Sequence, residues 1–128
     1  MNMIKNIYEK EQNNKATEKQ DIKEFKEKLE NILQELIDKR GIEIYGNTIK
    51  IEVGKFDKLA FIKGATIYVD IKAKNYPEHV LKYIIAHELA HLVVRNHTPK
   101  FYMIVKMIYP EYEHAREELF RILNIIKK

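Results

Sequence analysis

Apolar residues in the first third of the chain recur every three to four positions. Ile22, Phe25, Leu29, Ile32, Leu33, Leu36 and Ile37 fall on one stripe of a helix. Thr17, followed by Gln20, reads as the capping box that opens this helix, and Gly41 as the stop that ends it. Residues 1–16 are polar and without period, and read as a flexible N-terminal tail.

At Ile42 the pattern changes from helical to alternating. Ile42–Tyr45 and Ile49–Val53 flank Gly46-Asn47, a hairpin signal. Leu59–Ile62 and Ala65–Val69 flank Lys63-Gly64, a second and weaker one. Three or four short strands are therefore expected between the first helix and the next. Asn75-Tyr76-Pro77 opens the second helix, expected from Pro77 to about Arg95 with Asn96 as its left-handed stop. Thr98-Pro99 opens a third, with Phe101, Val105 and Ile108 as its buried face. Pro110 separates a last helix, acidic at its start, basic at its end, and apolar along Leu119, Phe120, Leu123 and Ile126.

Composition narrows the function classes. At 128 residues, 45% hydrophobic and 33% charged, the chain is long enough for one core and is not a disordered chain. No apolar run approaches the roughly 20 residues a bilayer helix needs, and no secretory signal opens the chain. With no cysteine, disulfide frameworks and thiolate catalysis are excluded, and a cytoplasmic location is expected. Any metal must be held by histidine and carboxylate. The net charge of +4 arises entirely after Gly41. Lys50, Lys55, Lys58, Lys63, Lys72, Lys74 and Lys82 could form a basic strip, but a solvated lysine-rich surface accounts for them, and nucleic acid is not an expected partner.

Chemistry concentrates in the second helix and the loop after it. In His87-Glu-Leu-Ala-His91 two imidazoles lie one helical turn apart, so both can reach a single ion. Glu88 projects about 100° round the helix from His87, beside such an ion without ligating it. A carboxylate there can take a proton from a zinc-bound water, whose pKa the metal lowers to roughly 7. A catalytic zinc needs a third protein ligand. His97, six residues after His91 and just past the expected helix end, can fold back to supply it. Tyr68, Tyr102, Tyr112, His114 and Arg116 are candidates for an oxyanion donor or for groups supporting the ligands, and the residues do not choose among them.

The run from Tyr83 to Tyr102, with HELAH followed by Asn96-His97-Thr98-Pro99 and Phe101, resembles the core of YgjP-like metallopeptidases. SprT-like and WLM proteases share the last histidine with an aromatic four residues on. In size and layout the chain is similar to the minigluzincins, minimal metallopeptidases of the gluzincin tribe. The likeness covers about Ile67 to Tyr112. It implies zinc held by His87, His91 and His97, with Glu88 as general base and acid in peptide-bond hydrolysis. Two departures stand out. The third ligand is a histidine where most gluzincins use glutamate, and Leu59 to Gly64 occupies the place of the Trp-Gly-Ser segment of YgjP-like proteins.

The resulting expectation is an α+β fold: a small zincin-type domain with an N-terminal helix, a three- or four-stranded sheet, the HExxH helix and C-terminal helices. Residues 17–109 would form the minimal peptidase domain. By the resemblance, residues 110–128 would mask the site of a latent form, in the same molecule or swapped into a homodimer. By the same analogy, the strand Ala65–Val69 would offer an exposed edge to a peptide or protein substrate. The competing class is a non-catalytic, zinc-stabilised binding module, for which Glu88 would serve no purpose. A nucleic-acid-linked protease would require a contiguous basic face or a DNA-binding extension.

Overall fold

The computed structural model describes the backbone of residues 2–40 and 49–127, and the side chains of 17–38 and 49–124. The elements run α1 (Asn2–Arg40), β1 (Lys50–Gly54), β2 (Ala60–Lys63), β3 (Thr66–Asp70), a 3-10 helix (Ile71–Asn75), α2 (Glu78–Ala90), α3 (Pro99–Ile108) and α4 (Tyr112–Lys127). This is the expected α+β architecture.

The helix α1 begins at Asn2 and not at Thr17, so Thr17 lies inside the helix and not at its N-terminus. Residues 2–16 carry few breakers, and a helix once nucleated extends at little cost through Lys, Glu and Gln. Downstream, Phe25, Leu29, Ile32, Leu33 and Leu36 are buried, the stripe the periodicity marks. They pack on β1 and α2. The expected hairpin at Gly46-Asn47 and the stop at Gly41 lie outside the described residues.

Among the described residues the sheet has three strands in the order β1-β3-β2, with β1 parallel and β2 antiparallel to β3. Lys63 pairs with Thr66, so the tight turn is Gly64-Ala65, one residue on from the expected Lys63-Gly64. Gly64 takes φ +62°, the left-handed region that other residues enter at a cost. Ile67 and Val69 point into the core and are fully buried, while Tyr68 alternates to the other face. There Tyr68 stacks on Phe61 at 4.7 Å, with Phe56 edge-on to both rings.

This order corrects one expectation. The strand ending at Val69 is central, flanked on both sides, and cannot accept an added strand. Among the described residues, the outer strand beside the HExxH helix is β2.

Asp70 anchors the turn from sheet to helix. Although buried, its carboxylate is satisfied: Oδ1 accepts from Phe56 N–H at 2.6 Å and Oδ2 from Lys72 N–H at 2.8 Å. One bond ties the loop before β2 and the other caps the 3-10 helix. Pro77 is the N-cap of α2, which follows at once. α2 is the central helix: Val80, Leu81, Ile84, Ile85, Ala86 and Leu89 are buried between α1, α3 and α4. It ends at Ala90, short of the expected Arg95, although His91 keeps helical angles (φ −66°, ψ −16°). The amides of His91, Leu92 and Val93 reach back only three residues, tightening the last turn before the chain leaves the helix.

Thr98 caps α3 as expected, its hydroxyl accepting from Phe101 N–H at 3.4 Å, and Phe101, Val105 and Ile108 are buried. The final helix α4 contributes Tyr112, Ala115 and Leu119 to the same core, packed against α2 of its own chain. Ile126 lies outside the described side chains. Among the described residues no helix is long and apolar enough to cross a membrane.

Candidate active site

The last turns of α2 and the loop into α3 bring three imidazoles together. His87 and His91 come from one face of α2, and His97 from the loop that Thr98 closes. The ligand atoms of the three lie within 4.8 Å of one another. Nε2 of His91 and Nε2 of His97 are 3.2 Å apart.

The tautomers follow from hydrogen bonding. His91 Nδ1 lies 3.2 Å from the Val94 carbonyl, which can only accept, so Nδ1 carries the proton and the Nε2 lone pair faces His97. His87 Nδ1 is similarly 3.3 Å from Glu88 Oε1. Burial, and then His87 and His91 alongside, lower the proton affinity of His97 below the usual imidazole range. That favours the neutral, ligating form.

Phe101 forms the floor. It is fully buried, and its ring centroid lies 5.0, 4.6 and 5.0 Å from those of His87, His91 and His97. The sequence marks Phe101 as a core residue of α3; its place under all three imidazoles is visible only in three dimensions.

Such a site suits a small tetrahedral cation. Two metal–nitrogen bonds of about 2.0–2.1 Å at the tetrahedral angle put their nitrogens roughly 3.3 Å apart. The two Nε2 atoms already stand near that spacing, where without an ion a His97 Nε2–H can donate to the His91 Nε2 lone pair. Glu88 is 6% exposed and one residue from His87, a carboxylate withdrawn from bulk water at the edge of the cluster.

Two cavities meet here. The larger, 660 Å³, is lined by His87, Glu88, His91 and His97 and by Ala60, Phe61 and Ile62 of strand β2. Lys58 and Arg95 also line it, cations that the sequence did not single out as site residues. The smaller, 310 Å³, joins His87, Glu88 and His97 to Tyr83, Tyr102, Leu119 and Phe120.

The remaining candidates separate. Tyr102 borders the smaller cavity, stacked on Tyr112 at 6.2 Å, and Tyr112 stacks in turn on Tyr83 at 6.4 Å. Arg116 lies behind this wall with its guanidinium 4.9 Å over the Tyr102 ring and 5.2 Å over Phe120, a cation–π filler. Tyr68 sits in the aromatic cluster of the sheet. His114 faces His79 and Glu118 and not the triad. Tyr83, not among the sequence candidates, is edge-on to His87 at 5.8 Å, and burial pushes its hydroxyl up to about 12, so it remains a proton donor throughout the neutral range.

The YgjP-like, metallopeptidase domain profile matches residues 2–121. The chain belongs to this family. This YgjP-like domain is also similar in fold to two solved metallopeptidase zymogens. Abylysin of Pyrococcus abyssi is 28% identical, with a TM-score of 0.63 over 78% of this chain and 96% of that one. Jannalysin of Methanocaldococcus jannaschii is 24% identical, with a TM-score of 0.61 over 74% and 96%, a likeness of fold alone. Both neighbours are metallopeptidase zymogens, in keeping with the minigluzincin resemblance of the histidine loop, which extends to projannalysin or a near relative. A curated relative, the UTP pyrophosphatase of Escherichia coli, is 30% identical over 74 residues. The YgjP-like chain spans 41% of that relative's length.

Proposed function

We propose that this YgjP-like domain is a zinc-dependent endopeptidase. The observation that carries the reading is the convergence of His87, His91 and His97 beside buried Glu88, lining a cavity that β2, the outer strand among the described residues, also lines. The three imidazoles would hold the ion. Bound there, zinc would supply Lewis-acid polarisation of the scissile carbonyl and a water of lowered pKa.

The chain's own residues do the rest. Glu88 takes the proton of the attacking water on its carboxylate and returns it to the leaving amine, so atoms and charge balance across hydrolysis. The Val94 carbonyl holds His91 Nδ1–H and so keeps Nε2 turned to the ion. An extended peptide adds to β2, the outer strand of the sheet among the described residues, and runs along Ala60–Ile62 past the histidines. A neutral Tyr83 hydroxyl can serve as the donor to the developing oxyanion. A binding module would have no use for a sequestered carboxylate beside the triad, and that reading is not favoured.

The C-terminal segment 110–128 bears on latency. Leu119 and Phe120 wall the smaller cavity at His87 and Glu88, so α4 narrows one end of the cleft from within its own molecule. This arrangement needs no exchange between copies. Because α4 also buries Tyr112, Ala115 and Leu119, deleting it would strip the core and test folding instead of masking. Phe120→Ser, at a half-exposed position, is the cleaner variant, and masking by α4 predicts that it cleaves peptides faster than wild type.

A second reading comes from Lys58 and Arg95 on the wall of the larger cavity, together with the relative that acts on UTP. Two cations beside the same ion and base suit a triphosphate undergoing phosphoanhydride hydrolysis. Assaying zinc-reconstituted protein on a peptide library and on UTP separates the two. Peptide cleavage that Glu88→Gln abolishes supports the first reading; UTP turnover without peptide cleavage, lost in a Lys58→Ala/Arg95→Ala double variant, supports the second.

A further inference from the structure

We propose that His79, His114 and Glu118 form a second binding site, for a divalent transition-metal ion, that clips the last helix to the HExxH helix. His79 stands in the first turn of α2, while His114 and Glu118 lie four apart on one face of α4. Their ligand atoms all fall within 4.8 Å of one another. His79 Nε2 meets Glu118 Oε2 directly, and the His79 and His114 rings stack at 5.7 Å with 18° between planes.

An ion pair between His79 and Glu118 accounts for only two of the three residues. The pair leaves the His114 ring, stacked on His79 at the same spot, without a role that an ion shared by all three would give it. Two imidazoles and a carboxylate with remaining positions open to water are a donor set that zinc, cobalt, nickel and copper accept. Calcium and magnesium, which require oxygen shells, are disfavoured. His79 and Glu118 keep 37% and 28% of their side-chain surface exposed, which leaves room for water to complete the shell.

This site is independent of the histidine triad. His79 and His87 are eight residues apart on α2, about 12 Å of helix rise, so the two ions share no ligand. The clip nevertheless bears on the cleft. Glu118 immediately precedes Leu119 and Phe120, the α4 residues that wall the smaller cavity at His87 and Glu88. An ion held at Glu118 fixes that turn of α4 against α2.

The test is a Co²⁺ titration of metal-free, full-length protein, followed by visible absorption and by hydrogen exchange of the α4 amides. Wild type takes up two equivalents, His114→Ala one and His97→Ala one. Glu118→Gln, which keeps the side-chain shape and removes the charge, also takes up one. The equivalent bound by His97→Ala raises α4 protection, and the equivalent bound by His114→Ala does not. Circular dichroism confirms that each variant is folded, as expected for exposed His114. A His114→Ala protein that still binds two equivalents overturns the proposal. So does a wild type that binds a single equivalent which His97→Ala loses, since His79 and Glu118 are then an ion pair only. Failure at the triad shows instead in the His97→Ala comparison, which leaves the clip untouched.

Discussion

Phe101 couples the core to the imidazole cluster, and Phe101→Leu tests that coupling. The ring is fully buried and lies within 5.0 Å of all three imidazole centroids. Truncating a buried Phe to Ala costs about 3–5 kcal/mol, and Leu, which retains most of the volume, about 1.5 kcal/mol. That loss applies to the metal-free protein. A second loss appears only with metal. Wild type at a zinc concentration 100 times Kd gains about 2.7 kcal/mol; if the missing ring lets the imidazoles drift and affinity falls about tenfold, the gain drops to about 1.4 kcal/mol. The zinc-induced rise in Tm should then be smaller by roughly 5 °C, at about 4 °C per kcal/mol for a chain of this size. Thermal unfolding with and without zinc measures both losses, on a His114→Ala background so that only the triad is titrated. A variant that loses stability without metal yet shows the full zinc increment would refute the coupling and reduce Phe101 to ordinary core.

Asp70→Ala should cost about 2–5 kcal/mol in urea unfolding, because it orphans the Phe56 and Lys72 amides together; a cost below 1 kcal/mol would mean that water replaces the carboxylate. His97, held below its ordinary value by burial and by its histidine neighbours, should titrate in metal-free protein with an NMR midpoint under 6.5. Its neutral form is the favoured one, so its capacity to ligate persists as pH falls through 6.5 and is lost only as pH passes the lowered midpoint; a midpoint above 6.5 contradicts this. Thr98→Ala should cost about 1 kcal/mol by removing the cap of α3, and zinc affinity should fall with it because His97 is the preceding residue. Unchanged zinc affinity would show that the loop is held by other contacts. Glu88→Gln should bind zinc as wild type does while peptide turnover falls by about 10²–10⁴-fold.

Local chemistry made much of this legible. Thr98-Pro99, the Phe101–Val105–Ile108 face and the HExxH spacing each act within a few residues, and each appears where the sequence puts it. What failed was non-local. Strand order depends on which segment returns beside which, so the edge role read for Ala65–Val69 fails because β3 lies between β1 and β2. The end of α2 is set by a tightened turn at His91–Val93, where the chain must leave the helix to bring His97 back, and apolar Leu92, Val93 and Val94 hide that break from periodicity. Lys58 and Arg95 meet at the cavity from positions far apart in the chain. His114 and Glu118 carried an i, i+4 signal, but their partner His79 lies 35 residues before His114, and only the packing of α4 on α2 joins them.

The most direct test of the central claim is cleavage of a peptide library by the full chain, with products read by mass spectrometry before chelation, after chelation, and after zinc is restored. The account predicts cleavage that chelation abolishes and zinc restores, and none from Glu88→Gln at equal zinc content. Cleavage by Glu88→Gln at the wild-type rate, or an untouched library alongside zinc-dependent consumption of UTP, would contradict it.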